Sequence, residues 1–256
     1  AQTCPRSWSW PSSLSDMKQH AQVVVIGGGV VGASVLYHLT RAGWTDVVLL
    51  ERRELTAGST WHAAGGMHTL NGDPNVARLQ QYTIQLYEEI QLVSGQDCSI
   101  HLPGGLMLAD TDVRMDWLRM AQARGRYLGM DLELITSREA ADLFPLMDPT
   151  GVLGAAWLPT DGYLDPSGLT YALLGGAKAR GVTVESTVRV TDLVAEGGRI
   201  RRVVTDHGDV TAETVVAACG MYTPDVAALA GVTVPIVPMA HQYLITKGID
   251  GVTDEL

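Results

Sequence analysis

The feature that most narrows what this chain can fold into is a glycine triplet and its setting. Residues 22–26 are a short β-branched run that reads as a buried strand and enters Gly27-Gly28-Gly29. Residues 30–42 then place Val31, Val35, Leu36 and Leu39 at helical spacing before Gly43, and residues 46–50 form a second apolar strand closing with Glu51. Strand, glycine turn, helix and strand within about thirty residues make a βαβ unit, whose crossover is almost always right-handed. Gly27, Gly29 and Gly32 spell G-x-G-x-x-G. The first allows a tight turn, the second lets backbone approach a pyrophosphate, and the third lets helix pack on strand. The helix N-terminus adds unpaired N–H donors and partial positive charge. A carboxylate closing the second strand is placed to accept hydrogen bonds from ribose hydroxyls. The alternative is a Gly-rich turn with a solvent-facing Glu, and the conjunction of all five elements favours dinucleotide binding over it. Glu51 would repel a 2′-phosphate, so NADP is disfavoured, while FAD and NAD both stay open on this motif.

Residues 54–66 are dense in small side chains and read as a functional loop. Asp73-Pro74 has the cap and first-turn chemistry of a helix reaching about Ser94. Residues 105–109 are expected as a strand and 112–129 as a helix. Thr136 with Glu139 forms a capping-box signature for a short helix ending at Pro145. Asp165-Pro166 opens a further helix to Arg180, with strands expected over 182–184, 188–194, 200–205 and 213–218 and a strand-rich stretch over 232–246. Helices alternate with strands early and strands dominate late, which indicates a parallel nucleotide-binding core with a mixed second region.

The net charge of −10, without a cluster of Lys or Arg, disfavours nucleic acid and acidic membrane surfaces as partners. The apolar run over 23–36 is too short and too Gly-rich to span a bilayer. Cys4, Cys98 and Cys219 are far apart and odd in number, which fits a reducing compartment: the cytoplasm, with the mitochondrial matrix as the alternative. No pair of these cysteines has metal-ligand spacing, and no metal site is expected. Residues 1–21 are expected as a disordered tail, rich near its start in Ser, Trp and Pro, and Met17 is a plausible natural start within it. Asp254-Glu255-Leu256 faintly echoes a retention signal but is taken as chance.

The stretch Leu55-Thr56-Ala57-Gly58-Ser59-Thr60-Trp61-His62-Ala63-Ala64-Gly65-Gly66 resembles the flavin loop of the dimethylglycine and sarcosine dehydrogenase family. The resemblance continues through Phe144-Pro145-Leu146-Met147, Asp161-Gly162 with Asp165-Pro166, and Pro238-Met239-Ala240-His241-Gln242-Tyr243. It implies FAD, covalently bonded through His62, a reaction that needs a neutral imidazole nitrogen as nucleophile. A partly buried structural His is the alternative. Ser59 and Thr60 would offer hydroxyls to phosphate or ribityl oxygens, and Trp61 would pack beside the flavin. Ala217-Ala218-Cys219-Gly220 is similar to the family's later FAD-packing turn, commonly Asn-Ala-Ala-Gly, so Ala217 and Cys219 are departures. Cys219 reads as a small buried filler. Val190 matches the position that meets adenine through its backbone, with an ordinary strand valine as the equal alternative. His241 and Tyr243 would share a strand face near the substrate; a structural pair at a sheet edge is the competing reading.

The resemblance implies an α/β fold with a Rossmann-like FAD-binding domain over 22–97 and 160–230. A mixed-sheet substrate domain is interleaved with it over 98–159 and 231–256, and the chain is expected to be C-terminally truncated and inactive alone. The implied reaction moves a hydride from an N-methyl or N-methylene carbon of a small amine to FAD, with oxygen or an electron-transfer flavoprotein as acceptor. Two rivals stay open: another FAD-dependent amine or D-amino-acid dehydrogenase, and a non-catalytic regulatory subunit of flavoprotein descent.

Overall fold

The structure, a computed structural model, describes residues 17–71 and 73–253. The readings of residues 1–16, with Cys4 among them, and of Asp254-Glu255-Leu256 lie outside the described residues. In chain order the elements are β1 (His20–Ile26), α1 (Val30–Arg41), β2 (Val47–Leu50), β3 (Gly66–Met67), α2 (Pro74–Ser94), β4 (Gly105–Ala109), α3 (Asp112–Leu128), β5 (Glu133–Ile135) and α4 (Ser137–Leu143). They continue with β6 (Gly154–Leu158), β7 (Gly162–Tyr163), α5 (Pro166–Lys178), β8 (Thr183–Glu185), β9 (Val190–Glu196), β10 (Arg199–Thr205), β11 (Gly208–Ala217) and α6 (Thr223–Leu229).

The chain divides into two units, one of residues up to 60 with 173–238, the other of 61–172 with 239 onward. This division differs from the expected one. α2 and residues 160–172 fall in the second unit, where α2 packs against α3. At the other end, the expected tail overlaps β1: Ala21 is fully buried and pairs with Ala212, and Met17 packs on the same core.

The first unit is built on a six-stranded sheet in the order β8-β2-β1-β11-β10-β9. β8, β2, β1 and β11 run parallel, and β10 and β9 continue antiparallel. β2 is buried throughout as Val-Val-Leu-Leu, and Val23 to Ile26 of β1 are buried too, the continuous apolar pattern of parallel strands covered on both faces. Its core joins Val24, Ile26, Val48 and Leu50 to Val203, Val210 and Ala212. α1 buries Gly32, Ala33, Leu36, Tyr37 and Thr40, whereas Val31 of the expected stripe is 61% exposed. The helix is rotated from that expectation because Gly32, not Val31, must face the β1–α1 turn.

The second unit holds the antiparallel sheet β4-β6-β5 and the small pair β3–β7. β4 and α2 begin where expected, and Asp73 caps α2 by accepting from Asn75 and Val76 N–H. The capping box is present, with Thr136 and Glu139 exchanging side-chain to backbone hydrogen bonds. β5 and β6 escaped the sequence reading; Gly-Ala-Ala-Trp-Leu in β6 has the small residues of a central strand, flanked on both sides, rather than an alternating pattern. No strand forms in the stretch 232–246, which was expected to be strand-rich. A strand exists by pairing, and the irregular, largely exposed segment there pairs with no described strand. No helix among the described residues is long and apolar enough to cross a membrane.

Candidate functional site

Strand register assembles the site of the first unit. Ile26 of β1 lies opposite Leu50 of β2 and Ala217 of β11, so Gly27, Glu51 and Ala218 leave the sheet side by side at its carboxyl edge. From β1 the chain crosses through α1 to β2 on one side, while β11 flanks β1 on the other. This is a topological switch point, where open α/β sheets bind ligands.

Each glycine of the triplet meets a different constraint. Gly27 has φ +116°, and a Cβ there would overlap the Ala218 carbonyl. A Cβ on Gly32 would overlap the Gly27 carbonyl oxygen. Gly29 is different: the one heavy atom near its would-be Cβ is Thr60 Oγ1 at 3.0 Å. The first and third glycines therefore serve packing, and the second leaves an opening at the N-terminus of α1. Gly29, the N-cap, supplies no side-chain cap to that helix end. Thr60, buried to 8% exposure, accepts from Val30 N–H at 3.0 Å and keeps its own hydroxyl proton to donate.

Glu51 is held before any ligand arrives. One carboxylate oxygen accepts from Gly28 N–H at 2.7 Å and the other from Arg53 N–H at 2.9 Å. Each oxygen keeps acceptor capacity for a hydroxyl. Cys219 packs beneath this edge and donates from Sγ to the Ile26 carbonyl at 3.3 Å. Burial pushes its thiol up to about 11, and the Glu51 carboxylate pushes the same way, so it is a protonated filler at neutral pH. The guanidinium of Arg52 stacks on Tyr222, 3.8 Å from the ring centroid. Val190 begins β9, while Val188 N–H bonds the Glu51 carbonyl at 2.8 Å. Gly220, at φ +56°, opens the turn before α6. Ser59 is exposed on the loop beside Thr60.

The remaining predicted residues belong to the second unit. The exposed His62 imidazole lies against Trp61, ring centroids 4.0 Å apart. His241 and Tyr243 sit in the irregular segment, with Tyr243 58% exposed, so the shared strand face expected for them is not formed. Asp161, quoted above for resemblance alone, and His68 were not assigned a function from the sequence. Asp161 is 4% exposed, and its Oδ1 accepts from Thr69 N–H and Oγ1, both at 3.0 Å, while Oδ2 lies 3.3 Å from His68 Nδ1. Both residues line a cavity of about 400 Å3 with Phe144, Trp157 and Tyr163. The signal that could have found it was the Asp161-Gly162 pair. Among the described residues no cluster of His, Cys, Asp or Glu could hold a metal ion.

A glycine-cradled helix end and an anchored acidic residue at the switch point of a parallel sheet define a dinucleotide-binding α/β protein. Residues 22–255 match the family model of the FAD dependent oxidoreductases, DAO, and the chain belongs to that family. It is similar to mitochondrial dimethylglycine dehydrogenase of Homo sapiens, 38% identical over 241 residues, which is 94% of this chain and 28% of that protein. It is also 36% identical over 245 residues to 4-methylaminobutanoate oxidase (formaldehyde-forming) of Paenarthrobacter nicotinovorans, covering 96% of this chain and 30% of that one. The chain thus spans under a third of the length of these curated relatives. Among solved structures, L-proline dehydrogenase from P. horikoshii superposes with a TM-score of 0.80 at 28% identity, over 84% of this chain and 57% of that chain. FAD, the cofactor of the family, fits the residues present: the opening at Gly29 suits a pyrophosphate, and Glu51 suits a ribose.

Proposed function

We propose that this protein works in the oxidation of N-methyl amino acids of the dimethylglycine or sarcosine type. The observation that carries the reading is the loop Gly58-Ser59-Thr60-Trp61-His62-Ala63-Ala64-Gly65 in a chain 38% identical to a dimethylglycine dehydrogenase. Bound FAD supplies a hydride acceptor. Around it, the α1 N-terminus and Gly29 hold the pyrophosphate, Thr60 donates its hydroxyl proton to a phosphate oxygen, and Ser59 offers a second hydroxyl. Glu51 accepts from the ribose, the Val190 backbone meets the adenine, and the Gly220 turn packs on the cofactor. His62 would be the residue of covalent attachment to the cofactor. His241 and Tyr243 orient the amino acid so that a C–H bond of its neutral amine points at the acceptor. Loss of hydride leaves an iminium, which water hydrolyses or a folate captures. Oxygen or an electron-transfer flavoprotein would be the final electron acceptor. A reducing compartment suits the protein, either the cytoplasm or, as the name of the human relative favours, the mitochondrial matrix.

Dye-coupled oxidation by the FAD-loaded protein tests the reading, with dimethylglycine and sarcosine against glycine, L-proline and D-alanine. Preference for the N-methyl compounds supports it. Turnover of D-alanine or L-proline alone refutes it in favour of another amino-acid dehydrogenase.

A further inference from the structure

Helix α3 of the second unit has two apolar faces. One buries Leu118, Ala121 and Gly125 against the β4-β6-β5 sheet, where Leu118 joins Leu132, Ala156 and Leu158. The other leaves Val113, Trp117, Met120 and Tyr127 exposed, Val113 to 79% and Tyr127 to 78%. At 3.6 residues per turn these four lie within about 60° of Met120, along about 21 Å of helix. Val113, Met120 and Tyr127 are seven residues apart and fall nearly in line. Single exposed apolar side chains need no explanation, but a continuous stripe does. Trp, Tyr and Met, with Arg124 beside them, are also the residue types enriched where proteins associate.

The stripe is complementary to itself. A two-fold axis beside Met120, perpendicular to the helix, sets a second copy of α3 antiparallel to the first, the isologous arrangement of a symmetric dimer. Met120 then meets its own counterpart, Val113 meets Tyr127, and Trp117 meets Arg124, the last two contacts being made twice. Trp117 and Arg124 share one flank of the stripe, so each guanidinium comes against an indole. Charge follows the same symmetry. On the other flank Asp112 and Asp116 precede Met120 and Arg126 follows it, so the antiparallel copy brings carboxylates toward guanidinium. Arg119, near the axis on that flank, is already paired with Asp116 at 2.6 Å. A parallel copy would set Asp116 on Asp116 and Arg124 on Arg124, which like charge disfavours.

We propose that the exposed face of α3 is the interface of a homodimer, in which two copies of this chain pack antiparallel about Met120. A different partner would need no symmetry about one residue, whereas a second copy requires it. A single helix face with its flanking charges covers on the order of 1,000 Å2 counting both copies, the lower end for a specific interface. The dimer is therefore weak, with a Kd of about 10 µM. The inference uses none of the residues assigned to FAD or to the amino acid, so it stands or falls apart from the proposed function.

The test is sedimentation velocity of the FAD-loaded full chain from about 1 to about 200 µM, expected to pass from monomer to dimer across that range. Met120→Glu sets two carboxylates at the axis and should raise Kd at least tenfold. Leu92→Glu, at an exposed position of α2 away from this face, should leave it unchanged. The antiparallel register has its own readout. Val113→Glu and Tyr127→Lys should each weaken the dimer about fivefold, and the two together should restore it, because the new charges meet across the axis. All these side chains are exposed, so the variants should fold, and circular dichroism checks that they do. A monomer up to 200 µM overturns the proposal and gives the stripe to another occupant. A dimer that survives Met120→Glu overturns it too, as does a double variant no tighter than its singles.

Discussion

Gly29 and Gly32 belong to one motif, yet the structure assigns them separable consequences, and a pair of alanine substitutions exposes the difference. At Gly29 the backbone is extended, φ −83° and ψ −179°, so an L-residue fits without strain, and the nearest atom to an added Cβ is Thr60 Oγ1 at 3.0 Å. Losing glycine at an N-cap in favour of alanine costs roughly 0.5–1 kcal/mol. For a chain of this size that lowers Tm by about 1–4 °C. At Gly32 an added Cβ overlaps the Gly27 carbonyl oxygen, and Gly27 is itself anchored by its N–H to the Leu50 carbonyl at 2.9 Å. α1 must then lift from β1, an overpacking cost of about 3 kcal/mol. Better helix propensity offsets roughly 1 kcal/mol of that. Gly32→Ala should therefore lower Tm by about 4–8 °C. Cofactor binding should follow a different rule. The Gly29→Ala methyl occupies the space a pyrophosphate approaches, and losing even one hydrogen bond to a charged phosphate costs about 1.5–3 kcal/mol, a ten- to 150-fold weaker FAD affinity. Thermal denaturation of the FAD-free protein and FAD titration in a His62→Ala background measure the two effects. Wild-type FAD affinity in Gly29→Ala, or equal destabilisation by both variants, would refute the division of labour.

In the same background Glu51→Gln should weaken FAD by roughly 1.5–3 kcal/mol through loss of the charged acceptor, read by titration; unchanged affinity would place Glu51 away from the ribose. His62→Ala should leave flavin in the supernatant after acid precipitation, whereas flavin retained by the denatured variant would mean attachment elsewhere. Burial pushes the Cys98 and Cys219 thiols both up to about 11. At pH 8 only ~0.1% of each is thiolate, so alkylation by iodoacetamide should run at least 100-fold slower than at an exposed cysteine and accelerate about tenfold per pH unit toward pH 11. Mapping the modified peptides checks this, and fast labelling of either at pH 8 would contradict it. Thr136→Ala, which removes the capping box of α4, should cost about 1 kcal/mol of stability, measured by denaturant titration.

How much of this was legible in the sequence depended on how locally each feature is encoded. The βαβ unit and the caps at Asp73 and Thr136 are written within a few residues, and the elements begin there. The exit of Gly27, Glu51 and Ala218 at one edge is not local, because it needs the register of β11 on β1 across almost the whole chain. β6 was missed since a central strand of small residues has no alternating signature. The reading of 232–246 failed for the opposite reason: its apolar, β-branched residues resemble a strand, but composition does not supply a partner. Asp161 was invisible as a buried carboxyl group because its partners, Thr69 and His68, lie far from it in sequence.

The arrangement of the nucleotide site also bears on why a binding loop can be rigid before its ligand arrives. Two of the groups assigned to FAD are already engaged by backbone: Glu51 by Gly28 and Arg53, and Thr60 by Val30. Both engagements run through the glycine turn or the first turn of α1, so the groups that would bind the ribose and the phosphates share one backbone segment. Thr56, at φ +68°, closes the frame by donating its N–H to the Gly28 carbonyl at 3.1 Å. A group held this way loses little freedom when a ligand binds, and the ordering cost that would weaken association has already been met in folding. The same reasoning separates Ser59 from Thr60. Ser59 is exposed, and the hydrogen bond to the helix end belongs to its neighbour. Thr60→Val should therefore reduce FAD affinity more than Ser59→Ala does. It removes the hydroxyl proton offered to phosphate and also leaves Val30 N–H without its acceptor, a combined cost of about 2–3 kcal/mol against under 1 kcal/mol for the exposed serine. Titration of FAD into both variants in the His62→Ala background decides it: a larger loss at Ser59 would mean that the loop rearranges around the cofactor and that the order seen at Thr60 is not the bound order.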